Sequence, residues 1–477
     1  MASLFLLIAA LVLSRAGAGP LVDPRELGAG TIAALTLSGT IGLALLAAIP
    51  GQLPHLRASS GGHLAWSRST RRTRWIGVIS CAWLAFSIVG LGWLAVVRSW
   101  MGTILGEGDT ILLDEAIAIA PAIAAMSIAW WWHSAYAVLG GTLRARAGFV
   151  LTQMRVYWPI FLVPVALILA SQEIVERFVR TGSPLALERS APGSSALAEW
   201  LSLGAAIAAL LVSPAVVMPF LSTAPLPERP GLSGPIATLF ARRGVRVRSV
   251  RLWRTGGTLM NAVALGVLPW CRWVLLSDLL LAHLADDEAL AVAGHEAAHL
   301  RHHHAAWLAG GIVGAVGCTG LAIGLLVEWL EPVLPREPWV GWTALALLVT
   351  ISVLLFGALS RLCERQADAD SARSLSGGER IDAEAVGSMR RALAVVAFAN
   401  GIPPKRPSFR HGSIASRRRR LERIVGEPKR RLPVDRAMAI ARMLIVAALV
   451  LTLASLVAPM PGDGDPARMI RSQEPSP

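Results

Sequence analysis

The stretch HEAAH, which runs from His295 to His299, predicts a helix that carries a metal site. Residues four apart lie on one face of an α-helix, so the imidazoles of His295 and His299 can both reach a single ion. Glu296 is rotated away from that pair, but it lies close enough to reach a water molecule bound to the ion. Taken alone, the motif is a moderate signal, because an ordinary amphipathic helix with solvated histidines produces the same letters.

A second segment, SRLCERQAD from Ser360 to Asp368, supplies the rest of the predicted site. Glu364 provides an oxygen ligand, and three protein ligands leave a fourth position for water or substrate, as in catalytic zinc sites. Asp368, one helical turn further on, can accept the outer N–H of a ligating histidine and thereby fix its tautomer. We therefore predict one zinc ion per chain, with His295, His299 and Glu364 as its ligands.

The histidines that follow the motif, His302, His303 and His304, are interpreted differently. We expect them to be solvated or to lie at a membrane edge, and not to act as further ligands.

The composition indicates a membrane protein. Of the 477 residues, 54% are hydrophobic and only 16% are charged, and the net charge is +14. A soluble globular chain of this length carries more charge. Apolar runs long enough to cross a bilayer recur along the sequence. The eight runs are Leu27–Ile49, Trp75–Val97, Ala116–Leu139, Phe149–Ala170, Trp200–Leu221, Trp307–Leu330, Trp339–Ser360 and Ala437–Val457. We predict a predominantly α-helical polytopic membrane protein.

The distribution of arginine predicts an orientation for these spans. The loop after the first run and the segments 222–306 and 361–436 are rich in arginine, whereas the short loop 331–338 is not. The positive-inside rule then places every basic segment on one side, so both metal-binding segments face the cytoplasm. We expect a multi-pass protein of a bacterial cytoplasmic membrane. The lipid bilayer explains the basic charge, and no motif indicates a nucleic-acid partner.

The chain divides into four predicted regions. Residues 1–26 resemble a signal peptide or a short membrane segment, and residues 27–221 form a membrane domain with five spans. Residues 222–436 form the water-facing domain, interrupted by a transmembrane hairpin at 307–360, and residues 437–477 contain the last span and a short tail. The four cysteines are expected to be free thiols, since they lie in spans or on the cytoplasmic side.

The water-facing domain is predicted to be a gluzincin-like α+β domain. The β-rich runs Val245–Trp253, Thr258–Leu265 and Trp273–Ser277 are separated by glycine or proline, which favours a small antiparallel sheet. Three acidic residues beginning at Asp286 are typical of a helix N-terminus, so the helix that carries HEAAH should begin there.

In motif and in order, the chain resembles peptidase family M48, the integral-membrane zinc metallopeptidases that include HtpX and Ste24-like proteases. The resemblance rests on Leu275-Leu276-Ser277-Asp278 before the helix, on HEAAH leading into a transmembrane hairpin, and on SRxxExxAD. It covers roughly residues 225–425. It implies a zinc-dependent endopeptidase that hydrolyses membrane or membrane-proximal polypeptides.

The resemblance also implies roles for further residues. Glu296 corresponds to the general base, and Asn261-Ala262 falls where the family's edge strand pairs with the substrate backbone. His411 and Arg417 are similar to the family's late histidine-and-arginine motif, which implies catalytic roles for both. The residue after that histidine is usually proline, but here it is Gly412.

Two alternatives remain open. A signalling protease of the antibiotic-sensor type also carries HExxH in a cytoplasmic loop, but the tail after the last predicted span is too short for a sensor domain. A non-catalytic membrane scaffold could hold zinc as a structural element. The open fourth position and the intact Glu296 argue against a scaffold, because a structural zinc site needs neither.

Overall fold

The computed structural model describes residues 24–48, 62–105, 112–137, 142–180, 194–333, 338–430 and 432–457, and a few isolated positions before residue 24. Most of the segment 1–26, for which a signal-like or short membrane character is predicted, lies outside the described residues. The tail after Val457 lies outside them as well.

The described residues are mostly helical. The helices, in chain order, are α1 (Pro24–Leu27), α2 (Ala29–Leu37), α3 (Leu43–Ala48), α4 (Gly62–Val89), α5 (Trp93–Leu105), α6 (Leu113–Ala137), α7 (Leu143–Arg180), α8 (Ser194–Val217), α9 (Ser233–Arg242), α10 (Asp278–His283), α11 (Asp286–Arg301), α12 (His304–Leu330), α13 (Pro338–Leu375), α14 (Ala383–Ala399), α15 (Ile414–Arg423) and α16 (Pro433–Val457). The strands are β1 (Thr223–Pro225), β2 (Ser249–Trp253), β3 (Ala262–Leu265) and β4 (Trp273–Ser277).

Six of the described helices are long and apolar enough to cross a bilayer. These segments are Leu113–Ser134, Leu143–Phe178, Trp200–Phe220, His304–Leu330, Trp339–Leu375 and Pro433–Ser455. Their large apolar side chains are widely exposed, for example Leu325, Leu354 and Leu444 at 58%, 60% and 66%. Such surfaces are stable against hydrocarbon but not against water. The prediction of a predominantly helical, multi-pass membrane protein is confirmed.

Two of the eight predicted spans differ from continuous helices. The run Trp75–Val97 is divided between α4 and α5, and the pair is bent by 67°. Gly92, at the break, has φ +75°, a left-handed conformation that glycine adopts without strain. The run beginning at Leu27 forms a shorter apolar helix, Ala29–Leu45, with a π-helical turn at Ser38–Gly42. Ile49, where that predicted span ends, lies outside the described residues.

The chain separates into two compact units. The N-terminal unit contains residues 1–226, 247–261 and 268–282, and the C-terminal unit contains 227–246, 262–267 and 283–477. The core of the N-terminal unit is apolar and includes Leu84, Leu94 and Ala118. Beside it, Arg98 pairs with Asp114 at 2.6 Å, which neutralises a buried carboxylate at the start of α6.

The sheet in the N-terminal unit is mixed, not antiparallel. β1 pairs with β2 in the antiparallel sense, whereas β2 and β4 run parallel, with Ser249 opposite Trp273 and Trp253 opposite Ser277. All five residues of β4 are buried, which is typical of a strand covered on both faces. Alternation of apolar residues does not distinguish the two pairings, because it reports burial and not strand direction.

The C-terminal unit contains the elements that carry both metal-binding segments. Its core joins α11, α13, α14 and α15 through small and aliphatic side chains, among them Ala291, Ala372, Met389 and Leu421. α13 is a single helix of 38 residues, so it contains both a predicted span and the predicted ligand Glu364. A movement of that helix in the membrane would therefore be transmitted to the predicted site.

Candidate metal centre

α11 presents the HEAAH residues to the interior of the C-terminal unit. The helix begins at Asp286 as predicted, and the Glu288 carboxylate accepts a hydrogen bond from the backbone N–H of Ala285 at 3.2 Å. An acidic first turn also stabilises the N-terminus of the helix dipole. Further along the helix, His295 and Glu296 are both buried.

The three predicted ligands lie together. His295 Nε2 is 3.1 Å from His299 Nε2. The two carboxylate oxygens of Glu364 face one nitrogen each, with Oε2 3.6 Å from His295 Nε2 and Oε1 3.6 Å from His299 Nε2. Three donors held about 2.1 Å from a tetrahedral zinc ion lie about 3.4 Å from one another. The separation of the two histidine nitrogens is close to that value, and one donor atom from each of the three residues lies within 4.8 Å of the others, so this His-His-Glu group fits a zinc ion.

The surroundings of the site change the proton affinity of its residues. Burial raises the pKa of Glu296, and the negative charge of Glu364 adds to this effect. Burial lowers the pKa of His299 well below its usual value, and the neighbouring His295 acts in the same direction. Both effects favour a neutral His299, and only a neutral imidazole can ligate a metal through a free lone pair.

Asp368 lies next to the predicted ligand His295, and Arg417 binds Asp368. His295 Nδ1 lies 3.1 Å from Asp368 Oδ1, on the ring edge opposite Glu364. Arg417 donates two hydrogen bonds to the Asp368 carboxylate, from Nε at 2.8 Å and from Nη2 at 2.6 Å. Burial opposes the charge of Arg417, but Asp368 and Glu364 outweigh it and raise the pKa of the guanidinium.

The start of α15 directs Arg417 inward. The Ser413 hydroxyl caps this helix by accepting a hydrogen bond from the backbone N–H of Ser416 at 3.2 Å. Arg417 is buried, whereas Arg419, two residues further along the same run, is exposed. The run of four arginines therefore has one member that belongs to the site.

His411 reaches the site from a tight turn. Its Nδ1 lies 2.9 Å from Glu364 Oε1, although 49% of its side chain is exposed. Ser408 and Gly412 bridge the two sides of the turn. Gly412 has φ +72°, which proline cannot adopt because its ring fixes φ near −65°. The proline that is usual after this histidine in the family is therefore incompatible with the backbone conformation of Gly412.

Two neighbours of the site were not identified from the sequence. His304 is only 1% exposed, and its Nδ1 lies 2.9 Å from Nδ1 of His299, so its side chain is not solvated. The other ring nitrogen of His304 lies 3.0 Å from Oε1 of Gln366. The sequence does not distinguish His304 from the two histidines that precede it. What distinguishes it is the left-handed conformation of His303, φ 56°, which turns the chain between α11 and α12.

Asn261 and Ala262 stand at the boundary of β3. The backbone N–H of Asn261 donates to Ser277 Oγ, and its carbonyl accepts from the Ser277 N–H, both at 3.0 Å. Ala262 is the first residue of β3. β3 packs against the helix that carries HEAAH.

Among the described residues, the four cysteines form no disulfide. Cys363 is buried next to Glu364 in the sequence, but the group of potential metal donors does not include it.

Comparison with known proteins finds a family model that is similar to part of the chain. Residues 254–407 match the model of Peptidase family M48, which confirms the resemblance predicted from the motifs. The matched residues include HEAAH and Glu364 but end before His411. No curated protein matches the chain. Among solved structures, the crystal structure of S. mikatae Ste24p is similar to this chain, with a TM-score of 0.48 and 15% sequence identity. The similarity covers 84% of this chain and 99% of the Ste24p chain. The family match and the apolar helices support a membrane metallopeptidase.

Proposed function

We propose that this chain is a zinc-dependent endopeptidase that hydrolyses membrane or membrane-proximal polypeptides at the cytoplasmic face. The observation that carries the proposal is the His295–His299–Glu364 group, in which one donor atom from each residue lies within 4.8 Å of the others, a grouping that suits one zinc ion. Glu296, which lies on the same helix and is also buried, is suited to act on a water molecule there. The arginine-rich segments support the cytoplasmic orientation.

A zinc ion bound to the three ligands would polarise the scissile carbonyl and acidify a water molecule. Glu296 takes the proton from that water and later delivers it to the leaving amine. Its raised pKa favours the protonated carboxyl group that the second step requires.

His411 and Arg417 take different roles in this proposal. His411 is half-exposed, so its imidazole can meet a substrate and donate to the developing oxyanion. Arg417 is buried, and two of its N–H groups donate hydrogen bonds to Asp368. We therefore expect it to affect His295 by fixing the position of the Asp368 carboxylate. Arg417 and Asp368 are therefore positioning residues that hold His295 in its ligating orientation.

The substrate is proposed to bind as an extended strand at Asn261 and Ala262. Addition of a strand uses backbone hydrogen bonds and therefore accepts many sequences. The packing of β3 against α11 supports this role, because a peptide aligned with β3 would bring its scissile bond close to Glu296 on that helix.

The proposal is tested by measuring zinc content and cleavage of an unfolded reporter protein with the detergent-purified full chain. The variants are Glu296→Gln and, as a matched control, Glu384→Gln, which changes an exposed glutamate in the first turn of α14. We expect about one zinc per chain in all three proteins, with cleavage abolished only by Glu296→Gln. A wild-type chain without zinc, or cleavage that survives in Glu296→Gln, would contradict the proposal.

A further inference from the structure

A line of side chains leads from the predicted ligand His299 to the first turn of α16. His299 Nδ1 lies 2.9 Å from His304 Nδ1, and His304 Nε2 lies 3.0 Å from Gln366 Oε1. The Gln366 amide then donates to Asp435 Oδ1 at 3.1 Å. The helices α11, α12, α13 and α16 each contribute one residue to this line, and His304 and Gln366 are both buried.

Asp435 is held firmly at the far end of the line. Its second carboxylate oxygen accepts from Arg373 Nη2 at 2.6 Å and from the backbone N–H of Leu432 at 3.2 Å. Two donors and the charge of Arg373 keep the carboxylate ionised in this setting. An ionised carboxylate has no proton to give, so Asp435 can only accept from Gln366.

This restriction fixes the direction of every hydrogen bond in the line. Because the Gln366 amide must turn its NH₂ group towards Asp435, its carbonyl oxygen faces His304. That oxygen requires a donor, so the proton of the neutral His304 ring resides on Nε2, and Nδ1 is left as an acceptor. His299 must then donate from Nδ1, and its lone pair is directed from Nε2 towards His295 and Glu364.

We propose that Asp435 sets the tautomer of His299, through Gln366 and His304, so that Nε2 is the ligating atom. This inference rests on the zinc site of the proposed function. In metal sites, the partner of the outer histidine nitrogen is usually a single carboxylate or carbonyl. Here the carboxylate acts across two intervening side chains, and it lies on a membrane helix.

The isosteric variant Asp435→Asn tests the direction of the line. The oxygen of the introduced amide satisfies Arg373 and Leu432, so its NH₂ group faces Gln366 and the amide of Gln366 rotates. His304 then donates from Nδ1, and His299 is left with its proton on Nε2, where it cannot ligate. We expect zinc affinity, measured by competition with a chelator, to fall by about 10- to 100-fold.

The double variant Asp435→Asn with Gln366→Glu places a carboxylate at the neighbouring position of the line. The introduced carboxylate would accept from the introduced amide on one side and from His304 on the other. The original proton positions therefore return, and zinc affinity should recover to near the wild-type value. A role confined to packing or to the N-terminus of α16 predicts no such recovery.

Asp382→Asn is the matched control, because Asp382 caps α14 by accepting from Ala385 and its described hydrogen bonds lie outside the line. We expect wild-type zinc affinity for this control. An Asp435→Asn variant with wild-type affinity, or a double variant no better than the single one, would overturn the inference and leave the peptidase proposal intact. A wild-type chain that binds no zinc would instead refute the proposed function itself.

Discussion

Arg417 is one of four consecutive arginines, and we expect its contribution to the stability of the fold to differ from that of its neighbours. A buried ion pair contributes little net stability, but removal of one partner leaves the other charge buried and unpaired. The bidentate contact with Asp368 places Arg417 in this class, whereas Arg419 is exposed.

We predict that Arg417→Met destabilises the protein by about 3–5 kcal/mol, because Asp368 would lose its charged partner in a buried position. Arg419→Met should change stability by less than about 0.5 kcal/mol. Thermal unfolding in detergent measures both variants. Equal losses of stability would show that Arg417 is a surface charge like the rest of its run.

His411 should behave in the opposite manner. Since its side chain is half-exposed, His411→Ala should leave thermal stability and zinc content close to wild type. Loss of a donor to the oxyanion should lower kcat by about 100- to 1,000-fold. Steady-state kinetics on the reporter protein provide the measurement. A fall in zinc content would indicate that His411 supports Glu364 and does not act on the substrate.

The residues of the metal centre differ in how far the sequence predicts them. His295, His299 and Glu364 were predicted as ligands from the helical spacing within their two segments, and the structure brings their donor atoms together. His304 and Asp435 were missed because their relation to the site depends on a left-handed residue at 303 and on the docking of a helix far away in the sequence. Neither property has a local signal.

At the scale of elements, α12 and α16 approach closely along a glycine face. A Cβ atom added at Gly314 would lie 3.0 Å from the Cβ of Ala448, and one added at Gly317 would overlap Thr452. Small residues allow such close approach, which is how helices associate in a membrane. Gly324 lies near the C-terminal end of α12, and a Cβ atom added there has no described atom within 4 Å.

We therefore predict that Gly314→Leu displaces α16 and weakens zinc binding, because Asp435 moves with that helix. Gly324→Leu on the same helix should bind zinc as the wild type does. Chelator competition on both variants measures the difference. If zinc binding is unchanged in Gly314→Leu, the docking of α16 has no part in the metal centre.

The sequence predicted the type of most elements but not all of their relations. The β4 strand was predicted with its observed bounds, Trp273–Ser277, because turn residues flank an apolar run. The parallel pairing of β2 with β4 and the bend between α4 and α5 were not predicted. Both depend on contacts between segments, which apolar periodicity does not encode.

At the scale of the molecule, a bound metal should add stability, since it joins α11 to α13. A ligand that binds only the folded state stabilises it by about 4 kcal/mol at a free concentration about 1,000 times Kd. We predict that EDTA lowers the Tm of the wild type and has no effect on the Tm of Glu364→Gln. Scanning calorimetry in detergent measures both proteins. An equal response of the two would place the stabilising ion elsewhere.

The line from Asp435 to His299 also has a consequence for biosynthesis. Translation produces α11 first and α13 next, whereas Asp435 is produced only when α16 begins. A nascent chain that has already inserted α12 and α13 therefore possesses the three proposed zinc ligands but lacks the carboxylate proposed to orient one of them. We expect such an unfinished chain to bind zinc weakly and to be a poor peptidase until synthesis of α16 is under way.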